Sequence, residues 1–543
     1  MREKVSTRFI WWVVLSAVVF STILVAAATR SARQADAKNQ AASSTTNPGR
    51  PIPSAKVEVK AAVELGQAID KAIDSSEFTS ARWGVCVVSL RDGRTIYTRN
   101  ANQLFTPASN MKLYTTAVAL DLLGPGFQWR TSVYAPSAFD ANGTLAGDLT
   151  LYGRGAPDLY SHARRDSSAS LAQLADDLFQ KGLRHIKGNV VGDESYFRAE
   201  AFGNGWQWND LQWYFGAEPS ALTINDNQID VEIQPSENAG EQAQARLTKA
   251  EDYAHLINDL TTVKRGEQMT VGINRGITDN EIRVWGEIPL GTRTFGYHLS
   301  VHDPAKWAAK LLVTALRARG IAVDGEARAR DFRVPASERF DPAKATELAM
   351  VLSRPLSEVV KATNKESINL NAELILRTLG RERGQLAPGS DSHKTYERGD
   401  DEAGLAVIRQ WLNRAQVKTE SLALHDGSGL SRLDLVTPES TAQLLLATSR
   451  VPVASIFYDS LPFAGVDGTL GGRLGKYKGL IAAKTGSLVY DHSLSGFVKT
   501  AGGEAFAFSV MCNDQTTKGS STRLIDQIVG ILADFGAETH EKP

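Results

Sequence analysis

The sequence predicts an α/β (α+β) fold in which one sheet is built from both ends of the chain around a strand-rich insertion. Three observations carry this. Near the start of the folded part, the apolar runs Trp83–Leu90 and Thr95–Tyr97 flank Arg91-Asp92-Gly93, a strong hairpin turn. Close to the other end, Leu494–Thr500 and Ala505–Cys512 meet at Ala501-Gly502-Gly503, a second hairpin signal. Between the two hairpins, residues 131–345 consist mainly of strand-like segments and turns.

Composition narrows the function classes. A chain of 543 residues has room for about three domains. A hydrophobic fraction of 42% with 22% charged residues supports a sizeable core and excludes disorder over most of the length. Lys and Arg number 60 against 61 Asp and Glu, a net charge of −1 that argues against a nucleic-acid partner. Two cysteines supply neither a disulfide framework nor a four-cysteine zinc site.

Taken in order, the elements begin with Arg2, Lys4 and Arg8, which precede an apolar run from Phe9 to Ala28 ending in three alanines. This is the pattern of an export signal. Twenty helical residues also reach about 30 Å, enough for a membrane anchor, and the length favours the anchor. Either way the rest of the chain is exported, and membrane contact is confined to residues 9–28. Residues 29–60, rich in Ala, Ser, Thr, Asn and Gln with Pro48, Pro51 and Pro53, read as a flexible linker.

Helical spacing covers Ala62–Ile73, and a second helix is expected from Pro107 to Leu123, stopped by Gly124-Pro125-Gly126. Turns at Asn142-Gly143 and Arg154-Gly155 punctuate the insertion, which closes with a helix at Pro304–Arg319. The final third returns to helices at Leu356–Lys365, Leu370–Leu379, Ala403–Leu412 and Pro438–Ala447. A strand at Leu480–Ala483 precedes the last hairpin, and a helix over Thr522–Phe535 follows it. The expected division is 61–130 with 346–540 as one discontinuous domain. The insertion, 131–345, splits into 131–215 with 295–345 around a nested 216–294.

Three short motifs could carry chemistry. Ser109-Asn110-Met111-Lys112 opens the Pro107 helix, and residues three apart share a helix face, so the hydroxyl and the amine can meet. Ser367-Ile368-Asn369 places a hydroxyl and an amide together at the junction of two helices, although Ser236-Glu237-Asn238 has the same form. Lys484-Thr485-Gly486 follows the apolar strand Leu480–Ala483 and runs into Ser487. There a strand edge offers a cation and a hydroxyl, and Gly486 removes bulk so that a ligand backbone can approach.

Their order, Ser-x-x-Lys, then Ser-x-Asn, then Lys-Thr-Gly, is that of penicillin-interacting serine acyltransferases. The chain resembles the low-molecular-mass penicillin-binding proteins that carry a large insertion and act as D-alanyl-D-alanine carboxypeptidases/endopeptidases. Further resemblance lies in Gly192–Ser195, Trp208–Leu211, Ser220–Thr223 with Asn225–Asn227, Asp426–Ser431 and Asp467–Leu470, so that it spans about residues 62 to 538. Ile368 departs from the family pattern, where Asp is common. Ser109 and Ser367 lie 258 residues apart, which an insertion accounts for.

The resemblance implies a penicillin-binding/β-lactamase-like fold, an antiparallel sheet with helices on both faces. It implies Ser109 as nucleophile, Lys112 as base, Ser367 and Asn369 as proton relay and anchor, and Lys484 with Thr485 at the substrate carboxylate. Gly486 and Ser487 would line the substrate strand, with the Ser109 and Ser487 N–H groups as an oxyanion hole. The implied partners are peptidoglycan stem peptides ending in D-Ala-D-Ala and β-lactams, with no metal and no cofactor. A β-lactamase and a non-catalytic peptidoglycan sensor share these motifs and stand as alternatives.

The remaining features have blander readings. Trp206, Trp208, Trp213, Tyr214 and Phe215 are expected in the core. His298 and His302 lie on an extended segment rather than one helix face, so they do not form a metal pair. Cys86 and Cys512 fall on strands expected to be neighbours, close to one another, and are expected as buried free thiols because direct cross-strand bridges are strained.

Overall fold

Seven of the eight residues of the strand Arg82–Ser89 are buried, which requires cover on both faces of the sheet that holds it. That sheet is five-stranded and antiparallel throughout. Its order is Ile481–Leu488, Asp491–Lys499, Ala505–Asn513, Arg82–Ser89, Thr95–Arg99. The two ends of the chain therefore share one sheet, the first strand lying beside the last.

This computed structural model describes residues 55–157, 159, 169–248, 252–385 and 399–537. The chain divides into two compact units, Met1–Lys60 and Ala61–Pro543. The apolar run 9–28 and most of the linker lie outside the described residues. Among the described residues no helix is long and apolar enough to cross a membrane.

Side-chain alternation sorts the sheet into two faces. Trp83, Val85, Val87, Phe508 and Val510 pack with Leu65, Ile69 and Ile73 of the helix Ala55–Asp74 and with Leu524, Ile525 and Ile528 of the helix Thr522–Ala533. Ala507 and Met511 point the other way, into a core shared with the helices Met111–Leu123, Asn369–Arg383, Asp400–Arg414 and Pro438–Thr448. Residues Met111 to Leu120 are all buried, so the Met111–Leu123 helix has no solvent face.

The pairing register corrects the expectation that the two sulfurs lie close. Trp83 faces Cys512 and Cys86 faces Ser509, so the cysteines are three positions apart along the paired strands. An odd offset puts them on opposite faces of the pleat. Cys86 packs with Val88 and Ala442, and Cys512 joins the other core. Both are free thiols, as expected.

The insertion starts and ends on paired strands, Arg130–Ala135 antiparallel to Thr346–Leu352. These continue a five-stranded mixed sheet through Leu149–Tyr152, Val190–Asp193 and Ala327–Arg330. Gln228–Gln234, Gln244–Leu247 and Phe295–Ser300 form a three-stranded sheet, and His255–Val263, Gly272–Arg275 and Glu281–Pro289 form another. The helix Pro304–Arg319 packs on this core at its expected limits. A second helix, Ala169–Gln180, stands where only strands and turns were expected. Its Leu171, Leu174, Ala175 and Leu178 carry the three-four spacing of one buried face.

A thiol titration checks the cysteine placement. The unfolded protein should react at both cysteines without reductant, and one or no reactive thiol would contradict the register.

Candidate active site

The turn that carries Ser109 is set by close packing from two sides. Where the sequence predicts a helix from Pro107, the chain makes a 3₁₀ turn, Ala108–Asn110, before the Met111–Leu123 helix. Ala108 adopts φ 49, a left-handed conformation that is strained for a residue with a β-carbon. On one side Gly429 lies so near that a β-carbon would overlap the Ala108 carbonyl oxygen. On the other, a β-carbon at Gly486 would meet Ser493 Oγ, the Pro107 carbonyl and, at 3.1 Å, the Ser109 nitrogen. The missing side chain of Gly486 therefore lets the strand lie against the turn. Asn110, between Ser109 and Lys112 in the chain, donates to the Lys484 carbonyl at 2.9 Å and ties turn to strand.

Lys112 is fully buried, and its ammonium nitrogen has three near neighbours. Asn369 Oδ1 is at 2.6 Å, the Ser428 carbonyl at 2.7 Å and Ser109 Oγ at 2.9 Å. The first two are acceptors only. A neutral amine has two N–H donors, which they take up, and its lone pair is left facing the Ser109 hydroxyl. Burial pushes the Lys112 pKa down to about 7, against the pull of Asp426, Glu373 and Asp434. A substantial neutral fraction at neutral pH is the state a general base needs.

Ser367 and Asn369 straddle the end of the helix Leu356–Glu366 and the start of Asn369–Arg383. Ser367 is held at φ 61, and its Oγ lies 2.8 Å from Lys484 Nζ. Lys484 also donates to the Thr485 carbonyl at 2.9 Å. Burial first, and then Lys112, holds the Lys484 pKa well below the usual lysine range. The five residues singled out as catalytic thus fall in two hydrogen-bonded groups, Ser109–Lys112–Asn369 and Ser367–Lys484, which the Asn110 bond to the Lys484 carbonyl ties together.

Thr485, Gly486 and Ser487 continue along the edge strand. The segment Pro462–Ala464 covers the first part of that edge, with Ala464 N–H donating to the Ile481 carbonyl and Ala483 N–H to the Pro462 carbonyl. Strand alternation then turns the N–H and C=O groups of Thr485 and Ser487 outward as well. Past Ala483 the edge carries these groups beside the lysines and the nucleophile, and an extended peptide fits such an edge as an added strand.

Several contributors had no motif to mark their role. Asp426 accepts N–H bonds from Ser428, Gly429 and Ser431 and from the Trp206 indole, and so shapes the loop that offers the Ser428 carbonyl to Lys112. Glu373 accepts from Gly427 at 3.0 Å, and Asp434 from His425 at 2.6 Å. Burial and the neighbouring Asp426 push both of these carboxyls up. Asp426–Ser431 was noted only as a resemblance. Nothing local in the sequence marks Glu373 or Asp434 as its neighbours.

The aromatic cluster is core only in part: Trp213 packs against the core of the insertion, as expected, while others face outward. Trp208 is 74% and Tyr214 51% exposed, and the Phe215 carbonyl accepts from Asn369 Nδ2 at 2.9 Å. A dense aromatic run is the usual mark of a core, but this one lies where the insertion reaches the catalytic cluster. His298 and His302 each engage a separate carboxylate, Asp230 and Glu218, both at 2.7 Å.

A serine on a short helical turn, a buried lysine beside it and a second lysine on an antiparallel edge strand define the serine acyltransferases of the penicillin-binding/β-lactamase-like fold. Within that class, the chain belongs to the D-Ala-D-Ala carboxypeptidase 3 (S13) family, whose model matches residues 65–535. It is 32% identical over 494 residues to a D-alanyl-D-alanine carboxypeptidase of Actinomadura sp. (strain R39), covering 88% of this chain and 86% of that one. A D-alanyl-D-alanine carboxypeptidase of Haemophilus influenzae is 27% identical over 441 residues, 80% of this chain and 86% of the relative. The crystal structure of penicillin binding protein 4 from Haemophilus influenzae matches with a TM-score of 0.72 at 25% identity. It covers 88% of this chain and 99% of that one. The chain is accordingly a serine-type D-Ala-D-Ala carboxypeptidase acting outside the cytoplasm.

Three outcomes follow for this geometry. Since Lys112 must be neutral to accept a proton, kcat/KM should rise with pH through an apparent pKa near 7. Asp426→Asn removes a charge that favours the ammonium form, so that limb should move to lower pH in a pH–rate profile. Gly486→Ala should lower kcat/KM by about 100-fold or more by pushing the strand off the Ser109 turn. A steady-state assay with a melting curve as the folding control checks it.

Proposed function

We propose that Ser109 is the nucleophile, attacking the penultimate D-alanyl carbonyl to form an acyl-enzyme and release the terminal D-alanine. The observation that carries this is the approach of Lys112 Nζ to within 2.9 Å of Ser109 Oγ, with two obligate acceptors fixing the amine's other directions. Lys112 takes the serine proton. Ser367, bonded to Lys484, relays that same proton to the leaving amine, which returns Lys112 to its neutral form, and Asn369 holds Lys112 in place.

The substrate lies along the open edge, its amide groups meeting the outward N–H and C=O of Thr485 and Ser487. The N–H groups of Ser109 and Ser487 form the oxyanion hole, worth about 2.7–4 kcal/mol per donor in other enzymes. Lys484 and Thr485 receive the terminal carboxylate. An arriving carboxylate opposes the desolvation that strips the Lys484 proton, so Lys484 takes a proton from solvent as the ion pair forms. Water then attacks the acyl-enzyme, with Lys112 again as base. No metal or organic cofactor enters any step.

The physiological partner is a peptidoglycan stem peptide ending in D-Ala-D-Ala, and β-lactams acylate the same serine. Residues 9–28 either direct export or tether the enzyme to the membrane. Residues 61–129 with 353–540 form the acyltransferase domain and 130–352 the inserted one, because Thr346–Leu352 completes the inserted sheet.

Ser109→Ala should abolish covalent penicillin labelling in intact-mass spectra. It should also cut D-alanine release from a pentapeptide by about 10⁴-fold or more. A labelled Ser109→Ala protein would refute the nucleophile.

A further inference from the structure

Ser367, Lys484 and Thr485 belong to a closed ring of contacts whose other members take no part in the steps above. Lys365 is buried two residues before Ser367, and its Nζ lies 2.7 Å from Asp467 Oδ2 and 2.5 Å from the Leu461 carbonyl. The same ammonium sits 4.4 Å over the Phe463 ring, and Asp467 Oδ1 accepts the Phe463 N–H at 2.9 Å. Gly468 follows at φ 53, and a β-carbon there would stand 2.6 Å from the Lys365 carbonyl oxygen. The turn therefore rests directly on the backbone of the helix end that carries Ser367. Thr469 comes next, with its hydroxyl 2.8 Å from Thr485 Oγ1. The 2.8 Å contact of Lys484 Nζ with Ser367 Oγ closes the ring.

Each link supplies something different. The pair of buried Lys365 with part-exposed Asp467 fixes the turn, the absent β-carbon of Gly468 brings it close, and Thr469 delivers that fixed position to the strand. Thr485 is half-buried with a freely rotating hydroxyl, which needs a partner to hold it in one direction. Thr485 donates to Thr469 Oγ1, so Thr469 fixes the Thr485 hydroxyl beside the edge; when a carboxylate takes the Thr485 hydrogen, the Thr469 hydroxyl turns to donate to Thr485 Oγ1 and polarises it.

We propose that Thr469, held by the Lys365–Asp467 pair, is a positioning residue that aims the Thr485 hydroxyl and thereby sets the preference for substrates with a free terminal carboxylate. The inference rests on the assignment of Thr485 to the carboxylate end of the site. Thr469 acts through Thr485 and not through Ser109 or Lys112, so its loss falls on recognition of the carboxylate rather than on acyl transfer itself.

The test compares two D-alanyl thioesters with the full-length enzyme, one with a carboxylate on the leaving group and one with that carboxylate as its methyl ester. Thr469→Val should lower kcat/KM for the acid about fivefold, through KM, and change the ester less than twofold. Thr469→Ser should restore the parent ratio, and melting curves report folding for each variant. Equal losses on both substrates, or none on the acid, would overturn the proposal. Thr485→Val is measured alongside. If it leaves the acid-over-ester preference unchanged, the Thr485 assignment falls and the inference falls with it. If it narrows the preference while Thr469→Val does not, the inference alone falls.

Discussion

Taking two primary amines out of water is the constraint on which the site depends. Lys112 and Lys484 are both fully buried and electrostatically aware of one another, so neither can hold a proton as firmly as a surface lysine would. The protein makes this tolerable by surrounding them with acceptors: Asn369 Oδ1 and the Ser428 carbonyl for one, Ser367 Oγ and the Thr485 carbonyl for the other. Those acceptors come from the helix junction, the 426–431 loop and the edge strand. The fold thus serves to deliver oxygen atoms, from distant stretches of chain, to two nitrogens that would otherwise repel each other.

That delivery leaves no slack around the nucleophile. Strand and loop both touch the Ala108–Asn110 turn at positions where a β-carbon is missing, Gly486 and Gly429. The insertion adds a further constraint, since the Phe215 carbonyl fixes the amide of Asn369 and thereby the orientation of the oxygen that faces Lys112. An element remote in sequence from every motif thus sets which end of an asparagine meets the base.

Much of this was legible before any coordinates. The hairpin turns at Asp92-Gly93 and Gly502-Gly503 locate the two strand pairs, and Pro304 with Arg319 brackets a helix at its observed limits. The motif residues were legible through the order of the three motifs and its resemblance to a known family, since each is weak alone, as Ser236-Glu237-Asn238 shows. What escaped was set by tertiary contact. The offset of Cys86 from Cys512 depends on register, which no local pattern specifies. Glu373 and Asp434 sit far apart in sequence and matter only because Asp426 lies near both. The aromatic run misled because hydrophobic content speaks to burial on average, while Trp208 and Tyr214 line a surface. The Ala169–Gln180 helix, by contrast, carried a readable period and was overlooked among strands.

The cover that Pro462–Ala464 lays along the outermost strand has a consequence for the protein's behaviour in a crowded envelope. An unprotected strand of eight residues invites pairing with its counterpart on another molecule, the usual first step towards aggregation. Here the outward-facing amides that escape this cover occupy only the last few residues, a window that suits a dipeptide and gives a neighbouring molecule too few rungs to hold.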